Sequence, residues 1–179
     1  MVQASVIERA LGAARLDAAA YESVERDEGA TNTALAIVVL SAIASGIGNL
    51  RDTGIPGLVG GVIFGVIGFV LYAGIAYLIG GKLFATSETR VTLGQLLRTL
   101  GFAQAPGALY VLGLLPVVGG SIRFVIGIWI LIATIVAIRQ ACDFSTGRAI
   151  LTAVVSWIVY LLFVVVPAAI FGALVGALT

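Results

Sequence analysis

Histidine is absent from the 179-residue chain, cysteine occurs once, at Cys142, and charged residues make up only 11% of the sequence. Each shortage removes a class of function. Without histidine, no Ser-His-Asp or Cys-His site can be assembled. Ser121, after Gly119 and Gly120, has no base to activate it. A single thiol permits no intrachain disulfide and leaves a thiol-based metal site without support, and no ligand set for haem or an iron–sulfur cluster is present. No cofactor is expected. The formal net charge of +1 supplies no basic field for nucleic acid. No P-loop, and no GxGxxG after a strand, occurs. The expected character is non-enzymatic.

What is abundant is apolar. Hydrophobic residues are 60% of the chain, against about 45–50% in soluble domains, which also carry about 25% charge. So few charges cannot cover a water-facing surface of this size, so lipid is the expected solvent and the first expected partner. Five runs contain no charged residue: Gly29–Leu50, Gly54–Gly81, Thr99–Ile122, Phe124–Ile138 and Ala149–Thr179. A helix crosses the hydrocarbon core with about 20 apolar residues. The expected fold is therefore all-α, a polytopic transmembrane bundle of about five spans near 31–50, 57–81, 100–118, 122–139 and 149–176, within a 29–179 membrane domain.

Three spans carry irregularities. The fourth run would cover only about 22 Å as a helix, and Arg123 and Arg139 bracket it, both able to snorkel to an interface. The third has a capping box at Thr92 and Gln95. Pro106 and Gly107 then interrupt it, which predicts a lead-in helix over 92–104 and a span from Pro106 to about Val118, with Pro116 closing it. Gln104 is placed to bond carbonyls freed by Pro106. Pro167 predicts a kink or break in the fifth.

Lysine and arginine collect in cytoplasmic loops. With five spans, Arg9, Arg15, Arg26, Lys82, Arg90, Arg98, Arg139 and Arg148 share one side, while Arg51 and Arg123 share the other. The expected placement is a cell (inner) membrane, with the N-terminus cytoplasmic and the C-terminus outside. Residues 1–28 lack the basic-then-apolar pattern of a cleaved leader. Ile7, Ala10, Leu11, Ala14, Ala18 and Tyr21 recur at helical spacing there, forming a cytoplasmic amphipathic helix. Either it packs on the protein's own cytoplasmic loops or it docks a partner.

Small residues at helical spacing mark close helix approaches in lipid. Gly57, Gly61 and Gly65 lie on the second span, Ala42 and Gly46 on the first, Gly172 and Gly176 on the fifth. They read as packing within the chain or against another subunit or a second copy. Arg139 and Asp143, four apart at a helix end, read as an ion pair. Arg98 is expected to meet lipid phosphate, or an acidic residue of the N-terminal helix.

From about residue 17 to the end, the chain resembles the Ypt-interacting-protein family, the Yip-one domain membrane proteins. The resemblance is carried by Leu100-Gly-Phe-Ala-Gln-Ala-Pro-Gly107, Leu115-Pro-Val-Val-Gly119, Gly127-Ile-Trp129 and the loop from Arg139 to Ala149, and bacterial members are similar in these segments. It implies five spans and a cytoplasmic N-terminus. The Asp-Leu-Tyr-Gly-Pro sequence of eukaryotic members is absent, so their Rab-type GTPase binding does not carry over. The expected role is a scaffold or accessory subunit of a larger membrane complex. A small-solute transporter or channel, and a membrane-shaping protein acting through the N-terminal helix, are the alternatives.

Overall fold

The computed structural model describes residues 5–178, and side-chain surroundings as far as Leu174. The N-terminal segment forms two helices, α1 (Val6–Ala14) and α2 (Ala18–Arg26), in place of one. Ser5 and Glu8 close a capping box on α1, and the Asp17 carboxylate caps α2 by accepting from the Ala19 amide at 3.0 Å. Between them Leu16 adopts φ 65°, which reverses the chain. The two helices lie so close that a Cβ on Gly12 would sit 2.7 Å from the Ala20 Cβ.

Four helices are long and apolar enough to cross a membrane: α3 (Ala30–Gly48), α4 (Leu50–Leu78, continued by a π-helical turn Ile79–Leu83), α6 (Gly119–Ala141), and α7 (Thr146–Tyr160) with the π-turn Leu161–Val165 and α8 (Val166–Leu178). The expected first span thus begins at Ala30, and the fourth is not short. Its 23 residues run past both flanking arginines and reach about 34 Å. Charge-free length underestimates a span whose ends carry snorkelling side chains.

The third crossing is built from two helix types. Thr92 and Gln95 form the expected capping box on α5 (Leu93–Phe102), the Gln95 amide donating to Thr92 Oγ1 at 3.2 Å. Pro106 does not start an α-helix. It stands second in a 3-10 helix, Ala105–Leu114, a first-turn position where its missing N–H leaves no ladder bond unmade. α5 and the 3-10 helix both pack on α3. At rises of about 1.5 and 2.0 Å per residue they together reach about 35 Å, a full crossing.

The proline effects elsewhere follow the same logic. Gly54, at φ 64°, ends one short helical segment inside α4. Pro56 therefore lies in the first turn of the next, where its missing donor costs nothing. Pro167 is preceded by the π-turn, whose widened ladder makes room for the ring. Pro116 lies in the turn before α6, beside Val117 at φ 70°.

Neighbouring contacts close a ring: α3 on α4, α4 on α7, α7 on α6, α6 on the 3-10 helix, and the 3-10 helix on α3. The α1–α2 hairpin covers the outer face of α5 and α6. Among the described residues there is no strand, as the apolar periodicity requires.

Candidate functional site

Two polar features lie in this apolar frame: a clamp that holds the N-terminal hairpin, and an open cavity lined by helices of the ring. The clamp centres on Arg98. The residue is buried, and its guanidinium donates to the backbone carbonyls of Val24 at 3.2 Å and Glu25 at 2.5 Å, and to Thr31 Oγ1 at 3.5 Å. These carbonyls belong to the last turn of α2, where the helix ladder leaves acceptors unpaired and the dipole is negative. The expected phosphate contact is replaced by this cap. The expected N-terminal partner is present, but through main-chain oxygens in place of a carboxylate.

Around it, Gln95 Nε2 donates to Glu25 Oε1 at 2.8 Å, and Arg9 donates to Asp27 Oδ2 at 2.6 Å. At the other end of the hairpin, the Trp129 indole donates to the Ala14 carbonyl at 2.7 Å. Tyr21 is fully buried, with its hydroxyl donating to the Ala13 carbonyl at 3.0 Å. The hairpin therefore packs along transmembrane helices, and not on loops as expected.

Electrostatics at this end oppose one another. Burial, then the nearby Asp143 carboxylate, pushes the Glu25 carboxyl above the usual range. The hydrogen bond from Arg9 holds Asp27 below it. Burial raises the Tyr21 phenol, and burial followed by Asp143 and Glu25 pushes the Cys142 thiol up to about 12.

Arg139 and Asp143 do not pair. α6 ends at Ala141 and Asp143 takes φ 53°, so it leaves the helical face. Arg139 instead lies 3.5 Å from Thr146 Oγ1. Arg123, at the opposite end of the bundle, is tied to Asp52 Oδ2 at 2.9 Å and to Asn49 Oδ1.

The small residues divide into two groups. A Cβ on Gly65 would sit 3.4 Å from the Ala42 Cβ, and one on Gly46 would sit 3.1 Å from the Leu58 side chain, so both glycines join α3 to α4. Gly57 faces Thr53 of its own helix. A Cβ on Gly61 or Gly172 would meet no atom of this chain. Gly176 lies outside the residues whose surroundings are described.

A tighter seam does not follow α-helical spacing. Gly107 presses on Ser41, Gly101 on Ala34, and Gly48 on the Tyr110 carbonyl. Gly107 and Gly113 are six residues apart, which is two turns of a 3-10 helix. The sequence signal for this seam is the six-residue spacing, a period foreign to an α-helix.

The cavity has a volume of about 350 Å³, and α3, α4, Gln104 ahead of the 3-10 helix, α6 and α7 all line it. Its polar groups are Ser41, Tyr72, Gln104, Thr134 and Tyr160, with Ser45 at its edge. Gln104 does not bond the freed carbonyls but faces this space. Asn49 is engaged by Arg123, and Ser121 lies in a separate apolar groove.

Four long apolar helices and a fifth composite crossing define a multi-pass helical membrane protein. Within that class, residues 17–167 match the Yip1 domain, and the chain belongs to the Yip1 domain family. That family is one of non-enzymatic membrane proteins. No curated protein and no solved structure matches the chain.

Proposed function

We propose that the protein is a non-catalytic scaffold or accessory subunit of a larger assembly in the cell inner membrane, with a cytoplasmic N-terminus and an outward C-terminus. The observation that carries this reading is the far part of the last span. Every described residue from Val166 to Leu174 is exposed, and α8 packs chiefly on the π-turn before it. Gly172 there, and Gly61 on α4, present bare backbone away from this chain. Lipid wets leucine as well as another helix does, but a bare glycine face lets a second helix approach closely. The partner is another membrane subunit or a second copy.

The test is extraction in mild detergent followed by native mass spectrometry. The expected result is a defined complex that dissociates in Gly61→Leu and Gly172→Leu. A wild-type chain that migrates alone in several mild detergents overturns the reading.

A solute path is the second reading, favoured by Gln104 facing the cavity. Against it, no Asp, Glu, Lys or Arg lines that space, so it offers no site for ion coupling. For membrane shaping, the hairpin turns Ala13, Tyr21 and Val24 inward, and among its described residues the exposed large apolar side chains are Val6, Ile7 and Leu11. Deleting residues 1–28 is expected to leave vesicle curvature unchanged.

A further inference from the structure

We propose that the cavity within the ring binds the uncharged, hydroxyl-bearing head of a neutral glyceride from the membrane, with the hydrocarbon tail lying between α4, α6 and α7. Four observations converge. First, Ser41 of α3, Tyr72 of α4, Gln104 between α5 and the 3-10 helix, Thr134 of α6 and Tyr160 at the end of α7 bring hydroxyl and amide groups into one space. None of these side chains donates or accepts a hydrogen bond within the protein, although helix-internal bonds of this kind are made by Thr53, Thr99 and Thr152. Polar groups left unmatched in a membrane interior are costly, so a matching polar ligand there gains more than it would in water.

Second, no charged side chain lines the space. A phosphate or ammonium head would be buried without a counter-ion, which selects for a neutral head. Third, the volume of about 350 Å³ falls in the range of small-molecule sites, about 300–1,000 Å³, too small for a whole two-chain lipid but adequate for a head and the start of its chains. Fourth, the lining is exposed at Gly65 and Leu131, near the middle of α4 and α6, and at Trp157, in the last turn of α7 before the π-turn and α8 continue the span. The site therefore communicates sideways with lipid and not along the bundle axis with water. Tyr72 and Tyr160 pack edge to face at 6.1 Å, which fixes both phenols as a rigid wall.

The experiment places the full chain in vesicles with a photoactivatable diacylglycerol, and in parallel with a phosphatidic acid carrying the same chains and the same reactive group. Adducts are mapped by peptide mass spectrometry. The diacylglycerol is expected to label Gly65–Tyr72, Gly127–Thr134 and Trp157–Tyr160 at least tenfold above the outer faces of the same helices, whereas the phosphatidic acid is not. Gln104→Leu removes the amide at nearly constant volume, and Gly127→Leu fills space at a position where a Cβ meets only the Tyr110 hydroxyl, at 3.7 Å. Each is expected to lower cavity labelling at least fivefold and leave outer-face labelling unchanged. Should Gly127→Leu fail to fold, Gln104→Leu combined with Thr134→Val decides. Equal cavity labelling by both probes, no cavity adducts, or labelling unaffected by the variants overturns the proposal. Displacement by excess soluble glycerol as effective as by unlabelled diacylglycerol transfers the site to a water-borne solute and likewise overturns it.

Discussion

At the scale of single residues, Arg98 carries the heaviest structural role of any charge in the chain. Its guanidinium donates to the Glu25 carbonyl, which has no other donor among the described residues, and shares the Val24 carbonyl with the Asp27 amide. Arg98→Met strands the Glu25 acceptor and weakens the Val24 one, at a cost of about 2–3 kcal/mol. Because the loss falls on the hairpin, amide exchange over residues 17–26 should accelerate roughly 30- to 100-fold while α4 and α7 keep their protection. Arg98→Lys cannot reproduce the fork and should fall between. Unchanged exchange in both would refute the clamp.

The two carboxylates beside it give the hairpin a pH dependence of two opposing signs. Asp27 has a depressed pKa, so its stabilisation is present above the unfolded value of about 3.9 and lost as pH falls through the folded one. Glu25 has a raised pKa, so its contribution is full below about 4.3 and lost as pH rises through its folded value. The hairpin should be held tightest near the crossover, about pH 4–5. Hydrogen exchange across pH 3–8, corrected for intrinsic rates, checks this; protection rising steadily to pH 8 would contradict it.

At the scale of elements, the glycine seam between α3 and the third crossing decides whether the ring closes. A methyl on Gly107 would overlap Ser41, and one on Gly48 would overlap the Tyr110 carbonyl. Gly107→Ala and Gly48→Ala should each destabilise by about 1–3 kcal/mol through overpacking. A control at Gly60, where a Cβ meets nothing, should be neutral. Thermal unfolding in detergent separates them.

How far the sequence carries can be judged on these elements. The capping box at Thr92 and the long apolar helices were legible because each depends on local chemistry, whereas Pro167 causes no break and is accommodated within α8 after a π-turn. The 3-10 helix was not, since proline announces an interruption without saying which ladder resumes after it. The hairpin turn was hidden because Leu16 carries no residue preference for positive φ. The Arg98 cap was only half legible. The sequence points the cation to lipid phosphate or to the N-terminal helix, but its acceptors are main-chain atoms that every residue possesses. The cavity was not legible at all, being assembled from single polar residues on five separate segments.

At the scale of the whole molecule, five crossings require the termini to lie on opposite sides. The hairpin, Lys82, Arg90, Arg139 and Arg148 share one end of the bundle, while Arg51 and Arg123 share the other, which predicts the first end to be cytoplasmic. Cysteines placed singly at Glu88 and at Asp52 should label from opposite sides in oriented vesicles. The native Cys142 supplies a silent background, because it is buried and its thiol is pushed up to about 12, leaving very little nucleophilic thiolate at labelling pH. Labelling of both sites from one face would dismantle the five-crossing scheme.

The composite third crossing also makes the molecule adjustable in length. A 3-10 helix repeats its bearing every three residues, so losing or gaining one triplet within Ala105–Leu114 alters the crossing by about 6 Å and returns Gly107 or Gly113 to the same heading. The same change in an α-helix would swing the contact face by about 60°. Thicker or thinner bilayers can thus be matched by triplet insertions at this one segment, without recutting the surfaces of its neighbours.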